Sequence, residues 1–265
     1  MKYLIPLSYL FSSRLKTTHE KISWLIIYPA FLILVCQLYG GNILFLALAI
    51  ILTMSIYEIG YLDNDFRTVL SERSPTMRCS DERTSISKNL RKILASRITY
   101  AIIIIIIFYL HTEFVKFTKL IVALTILTIG FYFHNTIRSR WNILTYIIIV
   151  SCRYVIPILA SVSMGGYLLF FITIIFPMVR TVEHSCKDKY DFPAIKRFVA
   201  DPDIFRVRIY GFIFIISSLI AFRIDDYKFM LLSTYFLVYR IATKYIADKK
   251  LANRIQHDSY KWKDK

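Results

Sequence analysis

The sequence predicts an all-α protein: a polytopic transmembrane bundle of about eight helices, laid out as two four-helix halves. Three observations predict it. Hydrophobic residues fill 56% of 265 positions and mean hydropathy is +0.51. The apolar residues gather into eight stretches, the extreme case being Ala101–Phe108 with six consecutive isoleucines. The charge, +16 overall, lies mostly between those stretches rather than in them. The 16% aromatic content excludes disorder, and four cysteines with no C-x-x-C exclude a disulfide scaffold and weaken any zinc or redox reading. No nucleic-acid partner is expected, because the length is spent on apolar runs.

The elements follow in order. Residues 1–23 form an N-terminal segment whose start, Met1–Phe11, is short, broken by Pro6 and without a small-residue cleavage site. It reads as an interfacial helix held by Arg14 and Lys16 rather than a removed signal peptide. The transmembrane domain, 24–246, holds spans at Trp24–Tyr39, Ile43–Gly60, Ile98–Leu110, Leu120–Phe133, Ile143–Ala160, Met164–Val179, Ile209–Phe222 and Phe229–Ile246. None alternates with period two, which disfavours strands. Ile98–Leu110 and Ile209–Phe222 are shorter than the ~20 residues that cross a bilayer core, so they must borrow flanking residues. With the N-terminus inside, 27 of the 34 Lys and Arg fall in the inside segments 1–23, 61–97, 134–142, 180–208 and 247–265, as the positive-inside rule requires. The tail 247–265 is basic and polar and is expected to rest on anionic membrane lipids.

Two inside loops are long, 61–97 and 180–208, each after the second helix of its half. In the first, Asp65, Thr68 and Glu72 are spaced i, i+3, i+7, with Asn64 beside them. If the second helix runs on past the membrane surface, all three share one face and offer hard oxygen ligands. Arg67, Arg73 and Arg78 follow closely, so a metal-bound phosphate would find both carboxylates and guanidinium groups. In the second loop, Asp188 and Asp191 are i, i+3 neighbours, interleaved with Lys187, Lys189 and Tyr190. Arg153 stands about ten residues into the fifth span, where a cation is a candidate phosphate grip. Glu58, closing the second span, is placed to act as a base or to orient the first motif. Seven glycines leave no room for a P-loop or a dinucleotide-binding fold.

At these residues the chain resembles the UbiA superfamily of intramembrane prenyltransferases. Its first motif, N-D-x-x-D-x-x-x-D, follows the second helix, and its second follows the sixth. Asn64-Asp65 matches the opening, Glu72 takes the last acidic place, and Thr68 stands where the middle Asp is expected. The family commonly has nine spans, against eight read here. The stretch from Asn64 through Arg67, Arg73 and Pro75 to Arg78 is similar to the first motif of decaprenyl-phosphate phosphoribosyltransferases, and Lys187-x-Lys189-Tyr190 to the second.

The resemblance implies a Mg²⁺-dependent transferase that releases diphosphate from a polyprenyl phosphate or diphosphate system. Asn64, Asp65 and Glu72 would be catalytic. Asp65, Thr68, Glu72, Asp188 and Asp191 would hold the metal. Arg67, Arg73, Arg78, Lys187, Lys189, Tyr190 and Arg153 would hold phosphate oxygens. A second small molecule or phosphosugar would be the co-substrate, and the narrower reading is phosphoribosyl transfer to a polyprenyl phosphate. Thr68 carries no charge, so a non-catalytic lipid-binding or scaffold relative is the competing expectation. The implied location is a bacterial inner membrane with both motif loops cytoplasmic.

Overall fold

The structure is a computed structural model that describes residues 2–71, 78–79, 82–137, 139–163, 165–249 and 251. Among these residues it is helical, with no strand. The chain divides into two compact units, Met1–Met164 and Gly165–Lys265.

The first unit opens with α1 (Ser8–Ser13) and continues with α2 (Thr18–Leu38). Thr17 starts α2 by a capping box: its hydroxyl accepts from the Glu20 N–H at 3.2 Å, and the Glu20 carboxylate accepts from the Thr17 N–H at 2.9 Å. Pro29 lies inside α2, where its ring would clash with the carbonyl four residues back. The chain widens there into a π-turn, Ile26–Ala30. The Ile27 carbonyl in that turn accepts a hydrogen bond from the Tyr154 hydroxyl at 2.9 Å. After α2, Gly40 takes a left-handed φ of 61°.

Three long helices and α3 complete the unit: α3 (Ile43–Phe66), α4 (Arg83–His111), α5 (Phe114–Thr136) and α6 (Asn142–Ser161). Asn42 caps α3, its side-chain oxygen accepting from the N–H groups of Leu44 and Phe45. Helix α3 is the central member, packed against α4, α5 and α6. Gly60 lets α5 approach closely, because a β-carbon there would sit 2.3 Å from the Phe131 ring. Asn135 then reaches the Gly60 carbonyl at 3.0 Å, and the Tyr57 hydroxyl reaches the Ile149 carbonyl on α6 at 2.7 Å.

The second unit holds α7 (Gly166–Ser185), α8 (Pro193–Val199), α9 (Pro202–Ile224) and α10 (Lys228–Asp248). Pro177 repeats the arrangement at Pro29: the run Ile174–Met178 is again a π-turn. Asp201 caps α9, accepting from the N–H groups of Asp203 and Ile204, with Pro202 as the first helical residue. Helices α9 and α10 pack side by side along their lengths.

Among the described residues, seven helices are long and apolar enough to cross a membrane: Thr18–Leu38, Ile43–Leu70, Arg83–His111, Phe114–Thr136, Asn142–Ser161, Gly166–Ser185 and Pro202–Ile224. Their surfaces fit that role. On α4, Ala101, Ile104 and Phe108 point inward, while Ile98, Ile102, Ile103, Ile106 and Leu110 are exposed. The hydroxyls of Thr99, Thr118 and Thr125 are satisfied by the carbonyl four residues back, as lipid exposure demands. Helix α10 forms where the eighth span is expected, but Arg240 and Lys244 set it apart from the seven.

Two expectations need correction. The long loops are largely helical: α3 runs to Phe66 and α4 starts at Arg83, while α7 runs to Ser185 and α9 starts at Pro202. The Arg83–Arg97 stretch is rich in charge, yet Ile86, Ile93 and Arg97 share one buried face at helical spacing. This supplies the residues that the short third span had to borrow. The expected four-plus-four halves also differ from the observed division. Five long helices, α2 to α6, lie in the first unit, because α6 packs on α2, α3 and α5.

Gly60→Ala is expected to lower the thermal unfolding midpoint of the protein in detergent, with an overpacking cost of about 1–3 kcal/mol. Gly211→Ala, where a β-carbon meets open space, is the control and should leave the midpoint unchanged or raised. Equal midpoints for Gly60→Ala and the parent would contradict the close α3–α5 contact.

Candidate functional site

The site begins with a buried ion pair. Glu58 on α3 and Arg97 on α4 are both 0% exposed, with Nε donating to the carboxylate at 2.6 Å. Two unmatched charges at that depth would be untenable, and the pair has further partners. Glu58 accepts from the N–H groups of Leu7 at 3.1 Å and Leu10 at 2.7 Å. Arg97 donates to the carbonyls of Leu4 at 2.7 Å and Tyr3 at 2.8 Å. The N-terminal segment is thereby fixed onto α3 and α4, and the backbone of α1 is seated on a carboxylate inside the unit.

This placement delivers Tyr9 and Arg14 to Asp65. The Asp65 carboxylate is 1% exposed. It accepts from the Tyr9 hydroxyl at 2.7 Å, and Arg14 Nη2 lies 2.9 Å from each of its oxygens. Burial, and then the Asp65 charge, hold the Tyr9 phenol above its ordinary pKa, so it stays a donor. Asn64 adds a hydrogen bond at 3.2 Å, and Arg78 Nε stands 3.9 Å away. Arg83 fastens the backbone beneath by donating to the Asp65 carbonyl at 2.9 Å.

Aromatic rings carry the cluster toward α2 and α6. The Arg14 guanidinium lies 4.4 Å from the centre of the Tyr61 ring, and Arg153 lies 4.4 Å from that of Tyr28. Trp24 and Tyr57 each flank Arg153 at 5.7 Å. Tyr61 is within electrostatic reach of both Arg78 and Arg153, which makes it the link between the two sides. Two arginines, Arg14 and Arg78, thus face the Asp65 carboxylate, and Arg153 stands among the rings of Trp24, Tyr28 and Tyr57. Burial and the neighbouring Arg14 charge both press the Arg78 pKa down, as expected where cations exceed anions. Among the described residues, three buried N–H donors here lack an acceptor of good geometry, Arg14 Nε, Arg153 Nε and Trp24 Nε1, and the Tyr28 hydroxyl has only the Arg153 guanidinium within reach. Buried donors of this kind are normally satisfied. Among the described residues, these donors and the excess of cations over carboxylates suit an anion.

The sequence-based candidates fall in several places. Asn64, Asp65, Arg78 and Arg153 belong to the cluster. Thr68 sits on a 3₁₀ turn, Thr68–Ser71, its hydroxyl 3.3 Å from the Asn64 side-chain oxygen. Asp65 lies on α3, which ends at Phe66, and Thr68 on the 3₁₀ turn that follows, so these two do not share one α-helix. Glu72 and Arg73 lie outside the described residues. Arg67 is exposed and paired with Asp63, Nε to Oδ1 at 2.5 Å, instead of turning into the site. In the second unit, Asp188 is exposed and paired with Lys196 at 2.5 Å. Asp191 takes a left-handed φ of 50° after the 3₁₀ turn Asp188–Tyr190, so the two aspartates do not share a helix face. Tyr190 is buried against His184, with its hydroxyl 2.9 Å from Nε2. Lys187 is half-buried, and the Lys189 side chain lies outside the described residues.

For Mg²⁺, the described donor set at the cluster is Asp65 with the oxygens of Asn64 and Thr68. Both Asp65 oxygens are already engaged by Arg14. Among the described residues no group of three or more His, Cys, Asp or Glu gathers. The described residues therefore fit an anion and do not by themselves fit a bare divalent cation. Sequence reasoning missed Tyr9, Arg14 and Arg97. Arg14 lies 51 residues before Asp65, a separation at which no local pattern reports a contact.

No family model matches the chain, nor does any curated protein or solved structure.

Glu58→Gln leaves Arg97 a buried cation without its counter-charge, and the expected cost is ~3–5 kcal/mol. The N-terminal segment should then be cut by trypsin at Arg14 and Lys16 under conditions that spare the parent. Matching proteolysis and unfolding profiles would contradict the anchoring role.

Proposed function

We propose that the chain is an intramembrane transferase that binds a polyprenyl phosphate or diphosphate, with the phosphate on Arg14, Arg78 and Arg153. One observation carries this reading: Arg14 and Arg78 meet at the Asp65 carboxylate and Arg153 stands among tyrosines with no described carboxylate against it, with buried N–H donors left over, inside a unit whose outer faces suit lipid. Arginine is well matched to phosphate because its planar fork presents paired N–H groups to two oxygens. The apolar helices supply the surroundings that a long isoprenoid needs. The likeness of Asn64-Asp65 and the following residues to the UbiA first motif supports the same reading.

The residues have distinct roles in it. Arg14 and Arg153 hold phosphate oxygens through their unused Nε–H groups. Arg78, at 3.9 Å from Asp65, is free to shift toward a bound anion. Charge developing on a departing diphosphate is stabilised by these fixed cations, so no protein nucleophile is required. Asp65 keeps Arg14 and Tyr9 in place and prevents the cations from repelling one another. Mg²⁺, when present, would accompany the diphosphate and add to that neutralisation, with Asp65 and Glu72 in the first segment and Asp188 and Asp191 in the second as its expected ligands. Phosphoribosyl transfer to a polyprenyl phosphate is the narrower form of the proposal. A lipid-phosphate binder without chemistry is the second reading, and the full engagement of Asp65 by Arg14 and Tyr9 favours it.

Lipid mass spectrometry of membranes lacking the chain, compared with the same membranes after its restoration, tests the proposal. A polyprenyl product should appear on restoration. Arg153→Gln and Asp65→Asn should each reduce it by about a hundredfold, the scale of losing one preorganised electrostatic contact. Undiminished product from both variants, with Mg²⁺ supplied, would overturn it. Polyprenyl phosphate binding with no product in any membrane would select the second reading.

A further inference from the structure

The second unit contains another surplus of cations, gathered from three helices around a buried carboxylate. Glu183, near the end of α7, is 3% exposed. Arg206 on α9 grips it with a fork, Nε to Oε1 at 2.5 Å and Nη2 to Oε2 at 2.8 Å. Arg180 donates to Oε2 at 2.7 Å. Arg206 Nη1 also meets Asp203 at 3.2 Å. Both Glu183 oxygens are thereby occupied. Arg240 on α10 still acts on Glu183 by its charge. Three guanidinium groups face two carboxylates, and one positive charge is left over.

The leftover charge coincides with leftover hydrogen-bonding capacity. Arg240 Nε and the Tyr210 hydroxyl are both buried; the hydroxyl is within reach of the Arg240 guanidinium, and neither Nε–H nor O–H has an acceptor of good geometry among the described residues. They lie together, with the Arg240 guanidinium 5.8 Å from the centre of the Tyr210 ring. Tyr210 is 0% exposed. Its ring is stacked on Phe236 at 5.1 Å and 11°, and Phe236 in turn meets Phe176 of the α7 π-turn at 5.8 Å. Held in this way, Tyr210 cannot swing its hydroxyl out to solvent. The hydroxyl is a preset donor beside an uncompensated guanidinium.

We propose that Arg240 and Tyr210, backed by Arg180 and Arg206, form a second anion site that takes a phosphoryl group. A phosphoryl group has enough oxygens to accept from Nε–H and O–H together while meeting the surplus charge. The group belongs either to a lipid headgroup or to a soluble phosphate compound. The site lies wholly within the second unit and does not depend on the transferase reading. Neither aspartate of the second motif takes part.

The test uses the full chain carrying Arg153→Gln, so that the first cluster is weakened. Inorganic phosphate and diphosphate are titrated calorimetrically into the protein in detergent, with chloride as the control anion. In parallel, native mass spectrometry compares retention of phosphatidic acid and phosphatidylcholine from nanodiscs. Binding of phosphate or diphosphate assigns a soluble ligand, and selective retention of phosphatidic acid assigns a headgroup; either supports the site. Arg240→Gln should weaken whichever binding is seen by about tenfold, the scale of one hydrogen bond to a charged group. Tyr210→Phe, which keeps the stacked ring, should weaken it in the same direction and guards against a folding failure in the arginine variant. No binding by any probe, equal binding of chloride, or unchanged binding in Tyr210→Phe would overturn the proposal. A polyprenyl transfer unaffected by Arg153→Gln would defeat the first reading alone and leave this one measurable.

Discussion

A carboxylate and a guanidinium buried at 0% exposure must neutralise each other, and the pairing of Glu58 with Arg97 organises the whole first unit. Neither group is held by the other alone. Glu58 takes two N–H groups from the N-terminal segment, and Arg97 takes two of its carbonyls, so the pair sets a stretch of backbone as well as two helices. From that seating Tyr9 and Arg14 arrive at Asp65. The candidate site is therefore assembled from three places in the chain, and the buried pair is the element that brings the first of them in.

The two units treat charge in a similar manner. Each has a carboxylate near the end of a membrane-crossing helix, fixed by an arginine from the next long helix: Glu58 with Arg97, and Glu183 with Arg206. Each has a proline in a π-turn, at Pro29 and at Pro177. Each also has an arginine among tyrosines whose Nε is buried without a partner, Arg153 in one and Arg240 in the other. The carboxylates are satisfied and the cations are in excess. Among the described residues, this asymmetry is the common ground on which both anion-binding proposals rest.

Much of the fold was legible because apolar runs report helices directly. Each of the eight expected stretches has a helix at its centre, and the eighth, α10, differs in its Arg240 and Lys244. Helix ends were less legible. Hydropathy falls at Arg83–Arg97 although the helix continues, since a helix leaving the apolar layer exchanges lipid-facing residues for charged ones without changing its backbone. The spacing of Ile86, Ile93 and Arg97 was the signal for that continuation. Of the candidate site, Asn64, Asp65, Arg78 and Arg153 were visible as polar residues near or inside spans. Arg14 and Tyr9 were not, because their roles come from tertiary contacts with Asp65. The row of oxygen ligands assumed an unbroken α-helix, whereas the helix ends at Phe66 and Thr68 lies on a 3₁₀ turn; Glu72 falls outside the described residues.

The central claim is that the surplus arginines of the first unit recognise a phosphate on a lipid. Native mass spectrometry of the full chain tests it most directly, with a polyprenyl phosphate offered against the corresponding polyprenol. The isoprenoid is common to both, so any difference reports the phosphate. The account predicts retention of the phosphate form over the alcohol, with the preference abolished by Arg14→Gln combined with Arg153→Gln. Equal retention of phosphate and alcohol by the parent chain would contradict it.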